Sequence, residues 1–188
     1  MLGLSIEQII FLFFFFSASG WIGESIMESI VRKRFVSKGV FKGPYVPVHG
    51  VGAIIVYAIC NPIRQYPLLV FLACTAVCTL VEYLAAIILE KIFSIRGWDY
   101  ETYPFTKWCH YKRRIALTTS LFFGLVGLGV IYLFWDLGMW LISLFSQRLL
   151  VVIDIILCAI FLFDVVFTGV KYISNRMAGI PNKTIGLK

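Results

Sequence analysis

The chain has 188 residues, of which 60% are hydrophobic and only 14% are charged, and its formal net charge is +7. A soluble domain of ordinary composition is about 45–50% apolar and about 25% charged. The composition therefore excludes a secreted disulfide scaffold, a disordered tail and a soluble nucleic-acid binder. It predicts an all-α, polytopic membrane protein built as a helical bundle.

Five apolar windows are candidates for transmembrane helices, since about 20 residues rising about 1.5 Å each cross a hydrocarbon core of about 30 Å. They lie at about residues 6–31, 46–60, 68–93, 115–135 and 149–173. The second window is the shortest because Asn61-Pro62 ends it. The stretch 135–146 is apolar enough for an interfacial segment but too short to span. We predict one transmembrane domain over residues 1–188, with a short basic C-terminal tail.

The basic residues are divided unequally between the predicted loops. Fifteen of the 17 lie in the first loop, the third loop and the tail, and only Arg64 and Arg148 lie on the other side. Because cytoplasmic loops carry an excess of Lys and Arg, this division predicts five spans, an outside N-terminus and a cytoplasmic C-terminus. The basic face is expected to contact anionic lipid head groups, at about 1 kcal/mol per residue near the surface. We expect no nucleic-acid partner.

Familiar catalytic and metal-binding motifs are missing from the sequence. It contains no Walker A sequence, no Gly-x-Ser-x-Gly elbow and no HExxH pair, so the chain cannot hydrolyse ATP with a P-loop of its own. Five cysteines show no zinc-type spacing. Cys74 and Cys78 are one helical turn apart, a spacing that rarely allows a disulfide. We predict no metal and no cofactor, and the sequence leaves open whether the chain is an enzyme.

Small residues recur at four-residue spacing near the fourth window, at Ala116, Ser120 and Gly124. Small side chains let helices approach closely in lipid, where packing replaces the hydrophobic effect. This stripe predicts the face of helix four that contacts another helix. The partner helix could belong to the same chain or to a second subunit, so a homo-oligomer stays possible.

Acidic residues inside the predicted spans are the main functional signal: Glu24, Glu28, Glu82, Asp154 and Asp164. Each costs roughly 2.5–3.5 kcal/mol at the centre of a spanning helix. Counting from the basic loops places all of them except Asp154 in the cytoplasmic leaflet. We predict that these four acids and His49, which opens the second helix, line a polar site. The alternative is that they form purely structural pairs with arginines.

Two loop segments are expected to shape that site. The first is a turn-rich run before the second helix, with the turn motif Gly43, Pro44, Pro47 and Gly50. The second is the aromatic and charged third loop, which is expected to lie on the head groups because Trp and Tyr favour the interface. In that loop we expect Asp99 to fold back onto an arginine. The residues predicted to latch the loop are Trp98, Asp99, Arg113 and Arg114.

Several motifs follow one another from the first helix to the fourth, over roughly two thirds of the chain: Gly20–Ser25, Lys38–Gly50, Glu82-Tyr83, Trp98–Tyr100, and Arg114–Leu117 leading to Ser120 and Gly124. In these motifs the chain resembles the bacterial membrane proteins of the putative ABC-transporter type IV (CmpB-like) family. The resemblance implies a permease-like subunit of a bacterial inner membrane that needs a separate ATPase. Its motif positions here are Glu24, Gly43, Pro44, Glu82, Trp98, Asp99 and Arg114.

These observations together predict a permease-like transport component with a polar site in the cytoplasmic leaflet. One alternative is a membrane-embedded enzyme that acts on a lipid head group, with Glu24 or Glu82 as the base beside His49. The other is a non-catalytic scaffold or regulator in which the charges are structural. The sequence leaves open the substrate, the direction and energy source of transport, the oligomeric state and the role of Asp154.

Overall fold

The computed structural model describes residues 3–180, and this part of the chain is mostly helical. Residues 181–188 of the predicted basic tail, with Lys183 and Lys188, lie outside the described residues. The α-helices are α1 (Ile6–Arg32), α2 (Pro47–Cys60), α3 (Pro67–Ile88), α4 (Leu117–Gly129), α5 (Trp135–Ser143) and α6 (Gln147–Met177). A short antiparallel hairpin pairs β1 (His110–Tyr111) with β2 (Ile115–Ala116). A single 3₁₀ turn, Asn61–Ile63, follows α2.

Four continuous helices are long and apolar enough to cross a membrane: Ile6–Arg32, Pro67–Phe93, Leu117–Ser143 and Gln147–Met177. They have between 27 and 31 residues, which corresponds to about 40 Å or more of helix. The predicted membrane-protein class is therefore confirmed. The apolar helix at Pro47–Ile63 is shorter, so the described chain holds four helices of spanning length where the sequence predicted five spans.

The predicted end of the fourth helix at residue 135 is wrong. A π-helical segment, Val130–Phe134, joins α4 directly to α5, and the helix continues to Ser143. A π turn accommodates an extra residue without breaking the helix, so the expected interfacial segment at 135–146 is the end of this helix. A second π segment, Leu89–Phe93, extends α3. The start of the fourth helix also differs, because residues 115–116 form β2.

The apolar core is formed by buried residues of α1, α2, α3, α5 and α6 and of the π segment before α5. Trp135 is fully buried and stacks on Tyr57, with ring centroids 3.5 Å apart. The thiols of Cys60 and Cys74 lie in contact, with their sulfur atoms 3.7 Å apart. The small-residue stripe packs against α3 of the same chain, where a Cβ on Gly124 would lie 2.1 Å from Thr75 Oγ1. Ser120 on α4 is also buried, whereas Ala116 lies in β2 and not on the helix.

The segment between α1 and α2 enters the bundle. The Val46 N–H donates to the carbonyl of Ser17 at 2.9 Å, and Ser17 lies about 15 residues before the end of α1, or about 22 Å along its axis. Residues 33–46, named here the return segment, therefore run back along α1 before α2 begins. Pro47 is the first residue of α2, a position where the missing N–H and fixed φ of proline suit a helix start.

The bundle has two distinguishable ends. At one end α1, α3 and α6 finish together, and Arg176 on α6 donates to the carbonyl of Lys91 at 2.9 Å. This end, named here the basic end, also carries the loop between α3 and α4. At the other end Tyr132 donates to the carbonyl of Arg64, and α6 begins with Ser146 as its N-cap. We refer to it as the opposite end.

Candidate polar site

Glu28 lies on α1 near the basic end and is fully engaged by its neighbours. Its side chain is only 5% exposed and forms an ion pair with Arg32 one turn further along α1. Lys38 of the return segment places its Nζ 3.4 Å from the other carboxylate oxygen. Tyr103 donates its hydroxyl to the same oxygen at 2.9 Å. Two cations and a phenol thus balance this carboxylate, which has the partners expected of a structural acid.

Glu24 lies one turn deeper on α1 and meets His49 from the start of α2. His49 Nε2 is 3.4 Å from a carboxylate oxygen of Glu24, whereas no partner for the buried Nδ1 occurs in residues 3–180. A Cβ on Gly20 would lie 2.3 Å from Cγ of His49. The absence of a side chain at Gly20 therefore lets the imidazole lie directly against α1.

Glu82 on α3 is 7% exposed and receives a hydrogen bond from the Tyr100 hydroxyl. Its second oxygen, Oε2, is buried and has no hydrogen-bond partner within residues 3–180. Burial raises the pKa of Tyr100, and the charge of Glu82 and its hydrogen bond raise it further, with a smaller contribution from the charge of Glu24. Glu24 and Glu82 therefore act on one hydroxyl and lie on the same side of the bundle.

The loop between α3 and α4 supplies two phenols to these acids. Tyr100 reaches Glu82, and Tyr103 reaches Glu28. Burial raises the pKa of Tyr103 to about 12, and the hydrogen bond and charge of Glu28 contribute to the increase. Thr106, which is fully buried, donates to the carbonyl of Tyr100 at 2.5 Å and fixes the turn between the two tyrosines. We name residues 94–116 the phenol loop.

Asp164 on α6 belongs to a different set of contacts. One carboxylate oxygen accepts from the backbone N–H groups of Lys42 and Gly43 at 2.9 and 2.8 Å, and from the Tyr45 hydroxyl at 2.5 Å. The other oxygen accepts from Thr168 at 2.9 Å. Asp164 shares none of these partners with Glu24, Glu28 or Glu82. It anchors the return segment to α6.

The other residues of the predicted turn motif also shape the return segment and the start of α2. The backbone of Gly43 binds Asp164, and Pro44 next to it is exposed. Gly50 lies against α1, where a Cβ would be 2.4 Å from the carbonyl oxygen of Phe13. The turn residues therefore place α2 and His49 against α1 at mid-depth.

In the latch of the phenol loop, Asp99 pairs with one of the two predicted arginines, Arg113, and Arg114 has another partner. Asp99 pairs with Arg113, whose Nη2 lies 2.9 Å from a carboxylate oxygen, and with Arg96 at 3.4 Å. Arg114 instead binds Glu90 in the π segment at the end of α3. The main-chain direction explains the difference, because Lys112 and Arg113 adopt positive φ in the β-hairpin and neighbouring side chains there diverge.

Two further observations describe the electrostatics of this latch. Trp98 donates its indole N–H to the carbonyl of Arg114 at 2.7 Å, so the latch includes a backbone bond. Burial opposes ionisation of Asp99, but hydrogen bonds from Arg113 and from the Glu101 N–H, with the charges of Arg113 and Arg96, lower its pKa overall. Asp99 is therefore held in its charged form by the hairpin that follows it.

Sequence reasoning missed the polar partners that complete the acids. Tyr100 and Tyr103 were predicted only as interfacial aromatics of the third loop, Tyr45 was noted only within the turn-rich run, and Glu90 was not singled out. The available signal was the number of hydroxyl-bearing and acidic residues in loops that flank apolar helices. Within residues 3–180, no group of three or more His, Cys, Asp or Glu side chains could hold a metal ion. What the geometry offers is a pair of acids, a histidine and a phenol without a metal.

Three comparisons with known proteins complete this description. The family model for putative ABC-transporter type IV matches residues 11–169, which include every residue of the polar site. Searches of curated proteins and of solved structures found no match.

Proposed function

The chain belongs to the putative ABC-transporter type IV family, and from this membership we propose that it is a permease-like membrane component of a transport system. Its working site is formed by Glu24, His49 and Glu82, and the phenol loop covers that site. The chain lacks a P-loop, so a separate ATPase subunit supplies the energy.

The observation that carries the proposal is the buried Glu82 oxygen that has no hydrogen-bond partner within residues 3–180. A buried polar atom without a partner costs free energy of about 1–3 kcal/mol, so such atoms are uncommon in native proteins. Here the unpartnered oxygen accompanies the unpartnered Nδ1 of His49, and Glu24 lies on the same side. Two carboxylates with spare accepting capacity favour a substrate that carries a cationic or hydrogen-bond-donating group.

The phenol loop gives the site a cover that can open. Tyr100 occupies one oxygen of Glu82, and a substrate donor could replace its hydroxyl at little cost because the exchanged bonds are equivalent. Arg113 is 43% exposed, and ion pairs at exposed positions contribute only about 0–1 kcal/mol. The Asp99–Arg113 pair is thus the part of the latch that is released most readily during a transport cycle.

We propose that the chain crosses the membrane five times, with its N-terminus outside and the basic end in the cytoplasm of a bacterial cell. The second crossing combines the return segment with the short helix α2, which supports five crossings although only four helices have spanning length. The basic loops would then face anionic lipid head groups. Fusion of a cytoplasm-dependent fluorescent protein to the C-terminus should give fluorescence, whereas five crossings require that an N-terminal fusion give none.

The function is tested by ligand-induced stabilisation of the whole chain purified in detergent. A panel of small cationic compounds is screened for an increase in melting temperature, because a ligand that binds only the folded state stabilises it. We expect a stabilising compound whose effect is lost in Glu82→Gln and kept in Asp136→Asn, which alters an exposed acid on α5. If stabilising compounds act equally on both variants, the site is elsewhere. If none stabilises the chain, the acids are structural and the scaffold hypothesis is favoured.

The pair of Glu24 and His49 favours one second candidate, a membrane-embedded enzyme acting on a lipid head group. A carboxylate 3.4 Å from an imidazole nitrogen resembles the arrangement in which an acid orients a histidine base. Incubation of the chain in vesicles of anionic lipid, followed by mass spectrometry of the lipids, distinguishes the two. Release or exchange of head groups that disappears in His49→Gln would favour the enzyme.

A further inference from the structure

One carboxylate remains outside every site described so far. Asp154 lies on α6 two turns after its start at the opposite end, and its side chain is 4% exposed. Neither of its two oxygens has a hydrogen-bond partner within residues 3–180. It therefore differs from every other buried acid of the bundle, each of which accepts at least one hydrogen bond.

The surroundings of Asp154 are apolar or acidic. Leu150, one turn earlier on the same face of α6, belongs to the apolar core with Leu12 and Trp135. The titratable groups near Asp154 are Glu7 on α1 and the Cys158 thiol one turn further along α6. Arg148, the nearest basic residue along the chain, is exposed. No cation of the described chain neutralises this carboxylate.

An ionised carboxylate in such a place is the most costly group a protein can bury, and in practice it is neutralised. A bound metal ion would need about six oxygen ligands, and residues 3–180 contain no suitable group of His, Cys, Asp or Glu. A proton requires one oxygen and no further ligand. We propose that Asp154 is a proton-binding site within the half of the bundle near the opposite end.

This inference is independent of the transport proposal, because it uses no residue of the polar site. It also accounts for the position of Asp154 on the helix. The buried residues of α6 are Leu150, Asp154, Asp164 and Thr168, so the proton-binding carboxyl faces the interior of the bundle and not the lipid. A carboxyl group there needs no counter-ion as long as it holds its proton.

Infrared spectroscopy of the whole chain in lipid vesicles tests the proposal. A protonated carboxyl group has a C=O stretch that is separate from the bands of ionised carboxylates. We expect this band in the wild-type chain, a decrease in its intensity in Asp154→Asn, and unchanged intensity in Asp164→Asn and Asp136→Asn. Persistence of the whole band in a folded Asp154→Asn chain would overturn the proposal. If Asp154→Asn fails to fold, the comparison of variants is replaced by a measurement on the wild-type chain, in which the band is followed with pH in H₂O and D₂O. The absence of any protonated-carboxyl band would then overturn the proposal.

Labelling with dicyclohexylcarbodiimide distinguishes a proton from a sodium ion as the bound species. The protonated carboxyl adds across one N=C bond of the reagent, so that its oxygen bonds to carbon, its proton moves to nitrogen and no group leaves. We expect mass spectrometry of peptides to find the adduct at Asp154, to a decreasing extent as the pH is raised. An unchanged yield in the presence of sodium chloride supports the proton, and protection by sodium at constant pH would overturn it.

Discussion

Asp154 and Asp164 are the same residue type on the same helix, ten positions apart and similarly buried, yet their environments are opposite. Asp164 accepts four hydrogen bonds, three of them from the return segment. Asp154 accepts none from the described chain. The difference comes from the neighbouring segments, since a non-helical loop offers free N–H groups and helices at the opposite end do not. The buried carboxylate beside a loop, Asp164, is thus stabilised by hydrogen bonds from the protein. The one among helices, Asp154, is neutralised by a proton from outside.

The largest expected effect is the contrast between Asp164→Leu and Asp154→Leu. Removing the Asp164 carboxylate leaves the buried Tyr45 hydroxyl and the partly buried N–H groups of Lys42 and Gly43 without an acceptor, at up to about 1–3 kcal/mol each. We expect the free energy of unfolding to fall by several kcal/mol. Asp154→Leu strands no donor and should leave stability unchanged or increased. Denaturation of the purified chain in mixed micelles measures both, and equal losses would show that the two aspartates have similar roles.

The second effect concerns the close approach of α1 and α2, which brings His49 to Glu24. Gly50→Ala places a methyl group against the carbonyl oxygen of Phe13, and overpacking of this kind costs about 1–3 kcal/mol. Gly52→Ala in the same helix meets nothing within 4 Å and should be neutral or stabilising, because Ala favours a helix more than Gly. Melting temperatures of the two variants provide the measurement. An unaltered Gly50→Ala chain would mean that the two helices are further apart.

The third effect separates the phenol loop from the helices. Tyr103→Phe removes the hydrogen bond to Glu28 and should cost about 1 kcal/mol, whereas Tyr111→Phe changes an exposed ring and should cost nothing. The folded-state pKa of about 12 lies above the ordinary tyrosine value of about 10. Folding therefore favours the protonated phenol, and its contribution is complete below about pH 10 and lost as the pH rises through about 12. A pH titration of stability should show a smaller loss between about pH 10 and 12 in Tyr103→Phe than in wild type, because Tyr100 still contributes to the loss in both.

The smallest effect is that of the latch, because Arg113 is partly exposed. Asp99 has a folded-state pKa below its ordinary value, so its contribution is present above the ordinary aspartate pKa and is lost as the pH falls through the folded one. We expect Asp99→Asn to increase proteolysis of the phenol loop at neutral pH and to remove its acid dependence. High salt should weaken the wild-type protection in the same direction. If Asp99→Asn does not change the rate at which the phenol loop is cleaved, the loop is held by the Glu90–Arg114 pair alone.

Much of the fold followed from hydropathy, because an apolar run in lipid has few alternatives to a helix. The structure begins α1, α2 and α3 within a residue of the predicted starts. The end of the fourth helix was missed because a π segment leaves no distinctive mark in composition. The sequence offered Arg113 and Arg114 as partners of Asp99, and Asp99 pairs with Arg113. Arg114 pairs with Glu90 instead. This choice of partner depends on the positive φ angles of Lys112 and Arg113, which have no strong sequence signature.

The sequence by itself determined that the chain is a helical membrane protein of a recognisable family, and which acids lie within its apolar helices. Those properties depend on the cost of exposing polar groups to lipid, which acts on each residue locally. Only the tertiary structure decided which acids are satisfied, because donors come from segments far along the chain, as Gly43 does for Asp164. It also decided that Asp154 lacks such a donor. The acids are part of the 14% of residues that are charged. Only their neighbours in the folded chain distinguish a structural carboxylate from one that is free to bind a proton.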